Sequence, residues 1–167
     1  MKIMSAAALA ALVFFCASPA SAIPIDCSST NFKFADAAYN IDCERGWFDT
    51  TDIISVTNND RTIFFTMVDR RITGQPHVYL EYRRLRENFT AMFDEKDIKD
   101  WKSLDKKAGY DVAEFSRNIS GQNSHCIAVQ RYTNPMYTGY KRQLIGMGCT
   151  TGDLQSVYQI LQRMDGD

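Results

Sequence analysis

The sequence predicts an α+β domain: a mainly antiparallel sheet of about five strands with two or three helices packed on it. Short apolar runs bounded by turn residues recur at strand length. Other segments repeat their apolar residues at helical spacing. The strands also come in runs rather than alternating singly with helices, which favours antiparallel pairing.

The chain begins with one cation, Lys2, ahead of an uncharged stretch from Ser5 to Phe15, too short to cross a bilayer as a permanent helix. The stretch closes on Pro19-Ala20-Ser21-Ala22, whose small side chains at Ala20 and Ala22 suit a signal peptidase. Residues 1–22 therefore read as a cleavable secretion signal, and residues 23–167, from Ile23 onward, as a single α+β domain in the periplasm or outside the cell. Phe15 precedes Cys16 where a lipoprotein needs a small residue, which argues against lipidation. Cleavage removes Lys2 and Cys16, shifting the formal net charge from −1 to about −2 and leaving four cysteines. A chain of that charge has no electrostatic case for nucleic acid. No later apolar run is long enough for a membrane span after cleavage.

In an oxidising compartment four cysteines imply two bridges among Cys27, Cys43, Cys126 and Cys149. Position favours Cys27–Cys43 and Cys126–Cys149. Folding 124–132 against 141–149 about Tyr137 and Thr138 sets Cys126 opposite Cys149, close enough for a bridge. Without a Cys-x-x-Cys pair, a four-cysteine metal site is disfavoured.

Taken in order, residues 23–50 are rich in Asp, Ser and Asn and read as an irregular N-terminal segment pinned by the first bridge. Ile53, Ile54 and Val56 make a strand, Asn58-Asn59-Asp60 a turn, and Arg61 to Val68 a second strand. In 77–93, Val78, Tyr82, Leu85, Phe89 and Met92 recur at helical spacing, with Pro76 suited to a first turn and Arg83 and Glu87 to an i,i+4 pair. Asp94 and Asp97 resemble a second helix start, carrying Ile98, Trp101 and Leu104 on one side and ending at Gly109. Strands follow near 110–117, 124–132 and 141–149, the last two joined by a loop over 133–140. The C-terminal helix, 153–164, has the clearest pattern: Leu154, Val157, Tyr158, Leu161 and Met164 form a stripe behind a Thr151/Asp153 cap.

This order is loosely similar to the PsbP-like arrangement of an antiparallel sheet with helices against its faces. The similarity is architectural only and carries no function.

Catalytic motifs are wanting. Gly146-Met-Gly-Cys-Thr-Thr-Gly152 approximates a dinucleotide-binding turn, but no later strand supplies the ribose-binding acid, so glycines relieving crowding beside a bridge is the better reading. His77 sits at an element boundary, and His125 precedes a cysteine that a bridge would disarm. Asp52, Glu81, Asp111 and Glu114 are dispersed acids that suggest no particular pairing. Asn88-Phe-Thr90 and Asn118-Ile-Ser120 fit a glycosylation pattern relevant only to a eukaryotic route. No cofactor is expected.

Two surfaces remain as candidates. Arg70, Arg71, Arg83, Arg84 and Arg86 form a candidate basic face for an anion or a partner. Tyr132, Pro135, Met136, Tyr137 and Tyr140 form a candidate partner-binding loop with a large apolar area. The expected function is non-enzymatic binding of a ligand or of another envelope or extracellular protein. An extracytoplasmic hydrolase using dispersed carboxylates, and a secreted factor or inhibitor, are the alternatives.

Overall fold

The computed structural model describes residues 22–46, 50–73, 78–92, 98–119 and 121–164. The proposed signal segment up to residue 21, His77 and the Asp94/Asp97 helix start lie outside them. The strands are β1 (Ile23–Pro24), β2 (Tyr39–Arg45), β3 (Thr51–Asn58), β4 (Ile63–Arg71), β5 (Lys99–Lys107), β6 (Tyr110–Ile119), β7 (Gln122–Met136) and β8 (Gly139–Thr150). The helices are α1 (Leu85–Met92) and α2 (Leu154–Arg163), with a 3-10 turn at Cys27–Ser29.

All eight strands belong to one antiparallel sheet in the order β1-β2-β3-β4-β8-β7-β6-β5. Two meanders, β1 to β4 and β5 to β8, meet where β4 pairs β8 along nine consecutive residue pairs, Ile63↔Thr150 to Arg71↔Arg142. The chain between them crosses one face of the sheet and carries α1.

The expected five-stranded α+β domain is therefore corrected to a mostly β fold, with eight strands and two short helices among the described residues. Each difference has a local cause. The segment 23–50 contains β2, whose Ile41 and Cys43 alternate with exposed Asn40 and Asp42, so polar outward residues concealed a period of two. The expected second helix is the edge strand β5. Its register shifts between Lys99 and Lys102, and Asp100 has φ of 56°. This bulge breaks the alternation. Trp101 packs in one core cluster and Leu104 in the other, whereas a helix would have set both on one side. The lysines of β5 also suit an edge that must not pair with another chain.

Within the described part of the expected helix 77–93, Leu85–Met92 is helical and 78–84 is not. Leu80 instead bridges to Tyr140, with each backbone N–H donating to the other's carbonyl at 2.8 and 3.0 Å. Glu87 does not pair with Arg83; its carboxylate accepts the Arg84 N–H at 3.2 Å, closing the helix start. The expected loop 133–140 is strand almost throughout, since β7 and β8 run on until Met136 pairs Gly139. The turn is Tyr137-Thr138, where the sequence placed it.

Each face of the sheet has its own core. On one, Ile54, Val56, Phe65, Met67, Val112, Ile127 and Val129 pack under Val157, Tyr158, Ile160 and Leu161 of α2, with Phe32 and Phe34 of the N-terminal segment. Asp153 caps α2 by accepting the Gln155 N–H at 3.0 Å. On the other face, Leu85 and Phe89 of α1 cover Ala113, Phe115, Ala128, Ile145 and Met147.

Both disulfides form, Cys27–Cys43 and Cys126–Cys149. The first ties the 3-10 turn to β2. The second joins directly paired residues of β7 and β8 in the interior. Gly146 and Gly148 lie within β8 and project to the face opposite Cys149. A side chain at Gly148 would strike Val157 and the Phe65 ring, and one at Gly146 would strike β4 at Thr66 and Met67. The glycine-rich run is thus a flat seat for α2, and no dinucleotide turn.

Candidate functional site

At the end of the sheet where β7 turns into β8, tyrosines of the candidate loop meet the segment that precedes α1. Tyr132 of β7 packs against Tyr140 of β8, ring centroids 5.0 Å apart, and against Tyr82 at 5.3 Å. The Leu80–Tyr140 bridge lays the extended segment 78–84 beside this hairpin, and the Tyr79 ring rests on Gly139, where a side chain would collide with it. Pro135, Met136 and Tyr137 are exposed at the tip, Tyr137 completely. Partial burial, followed by the charge of Asp111, pushes the Tyr82 hydroxyl above its ordinary pKa.

Below the tip a cleft of about 500 Å³ opens on the α1 face, lined by Arg70, Val78, Tyr79, Leu80, Glu81, Arg83, Asn88, Tyr132 and Gln143. An amide chain builds its floor. Gln130 donates through Nε2 to the Arg83 carbonyl at 2.8 Å and accepts from Asn88 Nδ2 at 2.7 Å. Asn88 Nδ2 also donates to the Tyr132 hydroxyl oxygen at 3.1 Å, and Gln143 Nε2 donates to that oxygen at 2.9 Å. Arg70 Nη1 in turn donates to Gln143 Oε1 at 3.3 Å. Gln130 and Gln143 are fully buried, so these bonds satisfy amides that would otherwise be costly.

No match to this chain was found among protein-family models, curated proteins or solved structures. The site therefore rests on its own geometry.

The candidate basic face is dispersed. Arg70 and Arg83 reach the cleft, while Arg71 points to the opposite face and pairs with buried Asp52 and Asp69. Arg84 is exposed and contributes its backbone to the start of α1, and the Arg86 guanidinium lies 5.9 Å from the Trp101 ring centroid. The candidate carboxylates are also separated. Asp52 is held by Arg45 and Arg71, Glu114 accepts from Tyr158 at 2.8 Å, and Asp111 lies 3.3 Å from Lys106. Of the four, Glu81 alone lines the cleft. His125 is exposed on β7 while its neighbour Cys126 is buried and bridged. Among the described residues no three His, Cys, Asp or Glu side chains gather as a metal site.

Sequence reasoning singled out Tyr132, Arg70 and Arg83 but missed Asn88 and Gln143, which line the cleft, and Gln130, which is buried and hydrogen-bonded to Asn88. The available signal was an amide in each of two otherwise apolar strand interiors, since a buried Gln needs a partner.

Proposed function

We propose that this chain is an extracytoplasmic binding domain that docks an envelope or extracellular protein through the hairpin end of its sheet. One observation carries the reading. Among the described residues the exposed large hydrophobics are Ile23, Val78, Tyr79, Tyr82, Met136 and Tyr137, and all but Ile23 belong to the hairpin tip or the segment beside it. Aromatic side chains with polar tips, joined by methionine, are the composition favoured at protein interfaces. Paired strands and the segment bridged to them hold these side chains, so less ordering entropy opposes docking than for a free loop. The two disulfides are compatible with an oxidising compartment, and no helix among the described residues is long and apolar enough to cross a membrane.

A photo-crosslinking residue at Tyr137 tests the reading in cells, with one at exposed Gln162 on α2 as the control. A discrete adduct is expected from position 137 only, and Pro135→Ser with Met136→Ser in the protein that carries the crosslinker should abolish it without changing the unfolding midpoint. Equal adducts from both positions, or an adduct that persists in the double variant, would refute the docking surface.

A further inference from the structure

The cleft beneath the hairpin carries a second, independent inference. The Tyr132 oxygen receives hydrogen bonds from Gln143 Nε2 at 2.9 Å, Asn88 Nδ2 at 3.1 Å and the Arg83 backbone N–H at 3.3 Å. The amide orientations follow from the other bonds: Gln130 must present its nitrogen to the Arg83 carbonyl, and Gln143 its oxygen to Arg70. Every neighbour of the Tyr132 oxygen is therefore a donor. Its own proton has no acceptor among the described residues, and by exclusion it faces the cleft that Tyr132 lines.

The charges around that proton agree with it. Arg70 and Arg83 line the cleft and form no ion pair among the described residues, and Glu81 is the one acid among the residues that line it. A hydroxyl proton and guanidinium forks form a donor set for an oxyanion. Glu81 opposes a doubly charged phosphate more than a singly charged carboxylate. Val78 and Tyr79 provide an apolar wall for the rest of the molecule. We propose that the cleft binds a small organic carboxylate, its oxygens taken by Tyr132 O–H and the Arg70 and Arg83 guanidinium groups, and its apolar body against Tyr79. This site does not depend on the docking of a protein at the hairpin tip.

The probe is sodium benzoate, titrated into the oxidised mature protein and followed by amide chemical shifts, with benzamide and inorganic phosphate in parallel. Benzoate should shift the side-chain amides of Asn88 and Gln143 saturably, with benzamide and phosphate each weaker. Tyr132→Phe should weaken benzoate roughly tenfold or more, the worth of a hydrogen bond to a charged group. Arg70→Gln with Arg83→Gln alters only exposed side chains and should abolish the shifts. Met136→Ser with Tyr137→Ser should leave them unchanged, so failure of partner docking and failure of this site are read separately. The proposal is overturned if benzoate produces no saturable shift, if benzamide or phosphate binds as well, or if the arginine double variant binds benzoate like the parent protein.

Discussion

Asp52 of β3 and Asp69 of β4 are paired face to face across the sheet, both completely buried, and held there by three arginines. Arg45 Nε lies 2.8 Å from Asp52 and Arg142 Nε 2.9 Å from Asp69, while Arg71 reaches both carboxylates. Asn31 adds a long amide contact to Asp69 at 3.4 Å, tying the N-terminal segment to the cluster. Two facing carboxylates in a dry interior would repel strongly without these cations.

Removing one partner should therefore cost more than the pair contributes. Arg71→Met leaves both carboxylates short of a cation and is expected to destabilise the domain by about 3–5 kcal/mol. Urea unfolding at neutral pH measures this, and a loss below about 1 kcal/mol would mean that the cluster is solvated.

Each bridge closes a loop of similar length, with sequence separations of 16 and 23. Replacing either cysteine pair by alanine should cost about 3 kcal/mol by loop entropy. The Cys126–Cys149 pair should cost more, because both sulfurs are buried and their loss leaves a cavity. Alkylation should label these four cysteines only after reduction, and denaturant midpoints of the two double variants rank the bridges.

Gly148 and Gly152 lie four residues apart and should respond oppositely to alanine. At Gly148 a methyl group would drive into Val157 and Phe65, and overpacking of this kind costs roughly 1–3 kcal/mol. At Gly152 the nearest atom, Thr150 Oγ1, is at an ordinary 3.6 Å, so the change should be close to neutral. Similar losses at both sites would show that α2 does not rest on a flat β8.

Tyr158 gives the fold an alkaline limit. Its hydroxyl donates to Glu114 Oε1 at 2.8 Å while Lys107 Nζ lies 3.9 Å from its ring centroid. Burial, then the Glu114 hydrogen bond and charge, push its pKa well above the ordinary 10.0. A folded-state pKa above the unfolded value stabilises the fold fully below pH 10.0, and this contribution is lost as the pH rises toward the folded value. The urea midpoint should fall above about pH 10, and less steeply in Tyr158→Phe, which itself costs about 1 kcal/mol at neutral pH. Identical alkaline slopes would exclude Tyr158 as a cause.

The sequence by itself determined those features whose signals are local and apolar. The β3–β4 hairpin, the Tyr137-Thr138 turn, the facing of Cys126 and Cys149 and the α2 stripe each depend on residues close in the chain or on one unbroken period. The tertiary structure alone decided the rest. Strands β2 and β5 are so polar on their outer face that their period shows only once β3 and β6 supply the backbone partners. Strand alternation then sends Trp101 and Leu104 to opposite faces, while the bulge at Asp100 keeps Ile98 on the side of Trp101, so the residues read as one helical side divide between the two cores. The candidate site divides in the same way. The tyrosines and arginines were visible as residue types, but strand parity sends Arg70 to the cleft and Arg71 to the Asp52–Asp69 cluster. Only the crossing of the chain over the sheet brings Asn88 and Arg83 to Tyr132, because a hydrogen bond between residues more than forty positions apart is chosen by topology and leaves no mark on local pattern.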